Sequence, residues 1–293
     1  MKDILYKEIL EEVNNIEIID THEHIMSLEE VNQESQHLFR LFENSYANLD
    51  FISAGMPPDT WNKKNLYQIL TVFKKYYPKV ALTTFVRNIS RSLYDLYGIE
   101  SDKISEDNYK ESSIKIRDSY KRSDWYEYVL RDKTKIKISL LDSFWNVENI
   151  CFDKNLFIPV LRTNAFILGR KYISPFPQGK LEHSTIERIS KSWGADLDCF
   201  ESYIDIIDTA ITKYKRLGCP AIKIGTAYQR SLHFEKISTK DAKSIYKKNP
   251  GKLDFINQKK LQDFMAHYLI QKAGKEVMVI QTHIVPLQGM GAL

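Results

Sequence analysis

Cysteine is scarce and unpatterned in this chain. Cys151, Cys199 and Cys219 are the only three, and no CxxC pair occurs among the 293 residues. That excludes a disulfide framework or a cysteine-based zinc ribbon and fits reduced thiols in a cytosolic protein. No apolar run approaches the roughly 20 residues of a membrane span. The opening stretch MKDILYKEILEEVNN is amphipathic and lacks the apolar core of a signal peptide. Charge of one sign is lacking too. The 42 Lys and Arg stand against 38 Asp and Glu, a formal net charge of +4, which gives no case for nucleic acid. There is no repeat and no low-complexity tract. The expectation is a soluble cytoplasmic protein with neither membrane nor nucleic-acid partners. Aromatic side chains, by contrast, are abundant: 17 Tyr and 14 Phe predict a ring-rich core and pocket.

Hydrophobic spacing organises the chain. Residues 2–14 carry Ile4, Leu5, Ile9, Leu10 and Val13 at helical spacing, and Ile16–Ile19 forms a short apolar run that ends in Asp20-Thr21-His22-Glu23-His24. Such a run reads as a buried parallel strand. Residues 27–130 contain helical periodicity and no clear strand, so they read as a helical insertion within a single domain spanning 1–293. Further strands are predicted at 135–141, 157–161, 221–224 and 277–281, with helices over 198–217 and 257–274 closed by Gly218 and Gly274. Strand–helix–strand units of this kind predict an α/β fold with a parallel sheet.

The polar residues at the strand ends carry the chemistry. In extended backbone, residues i and i+2 point the same way, so His22 and His24 are placed to hold one metal ion. His283 follows the apolar run VMVIQ and predicts a third ligand at the same mouth. Lys223 lies inside AIKIG, where its charge needs an answer. It reads as a substrate-binding or carbamylated, metal-ligating lysine, or as one that snorkels to the rim. Arg162 and Arg230 suit bidentate capture of a substrate carboxylate or structural ion pairs, and Tyr228 lines a pocket or packs. Asp142 reads as a turn or cap residue, with Trp145 a weaker candidate beside it. His37, His183, His233 and His267 read as surface or packing residues.

Three segments, IIDTHEHI at 18–25, AIKIGTAYQRSLHF at 221–234 and VIQTHIVPLQGMG at 279–291, resemble the amidohydrolase superfamily, in particular its uronate isomerase-like branch. The resemblance implies a TIM-type (β/α) barrel with a divalent metal at its C-terminal mouth, zinc first, with manganese or iron as alternatives. It maps the metal ligands onto His22, His24 and His283. The activity it implies is hydrolysis of a small, carboxylate-bearing substrate by a metal-activated water. Sugar-acid isomerisation and decarboxylation on the same scaffold are the alternatives. The acidic residue that the family carries after its last strand has no position within 293 residues. The barrel is therefore expected to be truncated after about five strands. No catalytic residue is assigned. An inactive fragment, or half of a split enzyme, stands as the alternative, and the partner expected is a complementing C-terminal fragment or a second copy in a homo-oligomer.

Overall fold

The computed structural model describes residues 2–171, 184–248 and 253–284. His183 and the Gly-rich stretch from Val285 onward lie outside the described residues. The described residues divide into two compact units: one contains those up to Ser27 and those from Lys135 to Ile284, the other Leu28–Thr134.

The first unit opens with helix α1 (Lys2–Asn15) and strand β1 (Ile18–Glu23). The second unit is helical throughout its described residues: α2 (Leu38–Glu43), α3 (Ala47–Ser53), α4 (Leu66–Val80), α5 (Thr84–Tyr97), α6 (Tyr109–Tyr120) and α7 (Trp125–Glu127), followed by a π-helical turn over Tyr128–Lys133. Its core is a set of rings: Phe42 packs edge-on against Phe51, and Phe73 packs against Phe39, Phe42 and Phe51. Asn65 starts α4 by accepting the Tyr67 backbone N–H at 2.9 Å. Gly98, at φ +64°, ends α5 in the left-handed conformation.

The first unit resumes with β2 (Ile136–Leu141), β3 (Phe157–Pro159), β4 (Leu161–Arg162), α8 (Asn164–Leu168), α9 (Ile186–Trp193), α10 (Phe200–Arg216), β5 (Ala221–Ile224), α11 (Thr239–Tyr246), α12 (Phe255–Lys275) and β6 (Val279–Thr282). One stripe of α10 is buried in the core: Phe200, Tyr203, Ile206, Ile207, Ala210, Ile211 and Tyr214. The buried tyrosines each donate to a backbone carbonyl: Tyr203 to Phe166, Tyr214 to Val147 and Tyr246 to Leu197. A ring can be buried there without orphaning its hydroxyl. Among the described residues, no helix is long and apolar enough to cross a membrane.

The expected TIM-type barrel is not what forms. The described strands make two separate three-stranded parallel sheets, β1-β2-β3 and β4-β5-β6. The single strand expected over 157–161 is two short ones that serve different sheets. Phe157–Pro159 pair with β2, the Val160 N–H still donates to Leu141, and Leu161 and Arg162 then pair with β5. Pro159 has no N–H to donate and permits no continuous ladder at this point. Of the four outer strands, β1 and β6 lie largely exposed, whereas β3 and β4, like all four residues of the central β5, are mostly buried.

Candidate functional site

The C-terminal ends of β1, β2, β4, β5 and β6 carry the polar residues that the sequence singles out. His22 lies near the end of β1 and His24 just beyond it, and the pleat turns both rings to one side. Their Nε2 atoms are 3.0 Å apart. His24 Nδ1 lies 2.8 Å from the backbone oxygen of Asp142. A carbonyl only accepts, so His24 carries its proton on Nδ1 and keeps a lone pair on Nε2. The His22 Nε2–H then donates to that lone pair, and His22 Nδ1 accepts from the Lys223 amine at 3.1 Å. A directed chain of hydrogen bonds thus runs from Lys223 through both imidazoles to residue 142.

Lys223 is 2% exposed. Desolvation lowers its amine from 10.5 to about 8, against the pull of Asp142, and Arg162 adds to the drop. His22 keeps solvent at its rim, yet desolvation of the ring, followed by Lys223 and His24, holds it down to about 4. Desolvation also lowers His283 and raises Glu23, whose carboxylate accepts the His24 backbone N–H at 2.6 Å.

Once His22 gives up the proton on Nε2, the two imidazole nitrogens 3.0 Å apart fit adjacent ligand positions on one divalent ion. With metal–nitrogen bonds of about 2.05 Å they subtend roughly 95° at the metal. His24 has the outer-shell partner typical of a ligating histidine, a carbonyl on its distal nitrogen. His283 is less closely gathered. Its ring centroid lies 6.4 Å from that of His22, and the ring stacks on Tyr228 at 4.7 Å. Among the described residues, no group of three or more His, Cys, Asp or Glu side chains is arranged to hold a metal. The described residues thus set two imidazole nitrogens side by side, with a third imidazole near them.

Arg162 is buried and donates from Nη1 to Asp142 Oδ2 at 2.6 Å. Arg230 does not join this group. It pairs with Asp263 and Gln262 on α12 and lies over the Phe234 ring. His37 caps α2 by accepting the Arg40 N–H, and His267 bonds the Phe234 carbonyl. From its sequence position Asp142 reads as a turn residue, yet it meets Arg162 through its side chain and His24 through its backbone. The available signal was positional, because Asp142 ends β2 much as His24 ends β1. Phe144, two residues on, packs its ring on His24 at 5.3 Å.

No protein-family model matches the chain, and no curated protein matches it. Solved structures do. The fold is similar to that of uronate isomerase. The uronate isomerase from Thermotoga maritima superposes with a TM-score of 0.69 at 14% identity, over 94% of this chain and 61% of that one. A glucuronate isomerase from Caulobacter crescentus gives a TM-score of 0.64 at 13% identity, over 93% and 58%. The chain therefore spans about three fifths of the length of these isomerases. They represent the branch that the three sequence segments resemble.

Proposed function

We propose that the chain carries the site of a metal-dependent isomerase for a carboxylate-bearing sugar acid, with His22 and His24 as its metal ligands and His283 as the third imidazole of the same rim. The observation that carries this reading is the 3.0 Å convergence of the two Nε2 atoms, on a fold similar to uronate isomerases. A bound divalent ion supplies Lewis-acid polarisation of a substrate oxygen. Interconverting an aldehyde-bearing and a ketone-bearing sugar acid moves one hydrogen between adjacent carbons and one between the oxygens they carry, and releases nothing. That chemistry needs a group that exchanges protons near neutrality. Lys223, at about 8, is the side chain beside the histidine pair with that property. Tyr228, stacked on His283, lies within reach of the same rim and supplies a hydroxyl for a polyol substrate. Hydrolysis through a metal-activated water uses the same histidines and is the second reading.

The test is metal analysis together with a proton NMR assay on uronates, lactones and amides, with Zn²⁺, Mn²⁺ or Fe²⁺ added. The wild type is expected to hold a divalent ion and convert a uronate to its keto isomer. The His22→Ala/His24→Ala double variant is expected to lose both properties. Equal metal content in the two proteins overturns the site, and turnover of lactones or amides alone overturns the isomerase assignment in favour of hydrolysis.

A further inference from the structure

Arg162 reads from the sequence as a substrate clamp, but its surroundings give it another task. Its guanidinium lies directly on the backbone of Gly225, one residue past β5. A Cβ built at Gly225 would overlap the guanidinium carbon and Nη2 and come within 2.9 Å of Nε. Gly225 has an ordinary φ of −114°, so glycine is needed there for space and not for backbone conformation. The Gly225 N–H is in turn fixed by Asn164 Oδ1 at 2.8 Å, which gives the niche a rigid floor. From this niche Arg162 reaches Asp142 Oδ2. Residue 142 is tied to the first strand by both backbone groups: its N–H donates to the Glu23 carbonyl at 2.9 Å, and its carbonyl receives His24 Nδ1–H.

We propose that Arg162 is a positioning residue that, seated on Gly225 and paired with Asp142, orients the residue 142 carbonyl so that His24 keeps its proton on Nδ1 and presents the Nε2 lone pair. Arg162 cannot swing aside without leaving a buried carboxylate unpaired, which is costly. The orientation of the imidazole therefore depends on a glycine more than 200 positions away in sequence. The metal-binding consequence rests on the His22/His24 reading above. The tautomer does not, and it can be measured on the metal-free protein.

The test uses the full chain labelled with ¹⁵N-histidine. In the metal-free wild type, the His24 nitrogen shifts are expected to report a single tautomer with Nδ1 protonated. Gly225→Ala, which fills the niche, and Arg162→Gln, which removes the charge, are expected to give a mixture of tautomers. Arg162→Lys, which keeps an ion pair with Asp142, is expected to restore much of the wild-type signature, a rescue that a general packing role would not produce. In parallel, Co²⁺ affinity measured by chelator competition is expected to fall about 10- to 100-fold in the first two variants, the usual range for loss of an outer-shell partner. If circular dichroism shows Gly225→Ala unfolded, the Gln and Lys variants at position 162 decide alone. A wild-type His24 tautomer in Arg162→Gln, with Co²⁺ affinity within about twofold of wild type, overturns the inference. A wild type that binds no Co²⁺ overturns the metal reading instead, and the nitrogen shifts still judge Arg162.

Discussion

Replacing Arg162 with methionine isolates the energetics of the buried ion pair. The Arg162 and Asp142 side chains are 7% and 2% exposed and meet at 2.6 Å. Asp142 Oδ1 has no hydrogen-bond partner even with the arginine in place, so the variant strands a buried carboxylate with neither oxygen satisfied. Breaking one side of such a pair costs about 3–5 kcal/mol. Lys223 answers part of the charge, since Asp142 already holds its amine up against desolvation. The expected loss is therefore at the lower end, about 3 kcal/mol. With a urea slope of about 2–3 kcal/mol per molar, the midpoint falls by about 1 M. Replacing both partners, Arg162→Met with Asp142→Leu, is expected to recover most of that loss, because an apolar pair has no desolvation penalty to offset. Urea titrations followed by circular dichroism and tryptophan fluorescence measure all three proteins. A single variant that loses less than about 1 kcal/mol, or a double variant no more stable than the single, refutes the reasoning.

Lys223→Met is expected to raise the melting temperature at pH 7 while abolishing the isomerase activity proposed above. It removes an ammonium that burial disfavours, a gain of about 1–3 kcal/mol, and a lower melting temperature contradicts this. Val277→Gly is expected to stabilise by about 0.5–1 kcal/mol. Val277 is β-branched at φ +55°, directly after α12, where its N–H bonds Gly274 and the Met278 N–H bonds Ala273, the position at which helices usually carry glycine. An unchanged or lower denaturation midpoint counts against the strain. For His22, the native ring titrates at about 4 instead of 6.5, so the unfolded chain takes up a proton first as pH falls. The stability this group confers is complete above about pH 6.5 and is lost toward pH 4. His22→Asn is expected to flatten melting temperature against pH in that window, and parallel slopes for the two proteins rule the shift out.

Particular residues show where the sequence is legible. Ala221–Ile224 forms β5 where its apolar run predicts, because a strand buried on both faces is apolar nearly throughout, here at every position but Lys223. Ile16–Ile19 predicts the first strand two residues early: β1 covers Ile18–Glu23 and continues through Asp20, Thr21 and His22. Backbone pairing with β2 extends over these polar residues, and the outer strand of a sheet needs no apolar run to hold it. Ile18 and Ile19 are in fact exposed. Gly274 predicts a helix end but lies inside α12, because the left-handed turn that stops the helix falls on Val277. Leu217 extends the α10 stripe in sequence but is exposed, while Tyr203 and Ile206 are buried. The histidine pair is visible in its i, i+2 spacing. The group that answers Lys223 is not, since His22 lies some 200 residues away in sequence, on a strand of the other sheet, and only the tertiary fold brings them together. Asp142 is obscured for the same reason, because a strand-end aspartate resembles a turn residue until its partners arrive from other strands.

The contrast between β5 and β1 sets a hierarchy of local opening. β5 is flanked on both sides by paired strands and buried along its length, so the Ile222 and Lys223 amides are expected among the slowest to exchange with deuterium. β1 lies at the edge of its sheet, with its isoleucines toward solvent, and its amides are expected to exchange through low-energy fluctuations well below global unfolding. The amine of Lys223 thus stands on a rigid floor, whereas the imidazoles it faces ride on the softer rim. Capture of a ligand by that rim would register as slowed exchange in β1 before any change in β5.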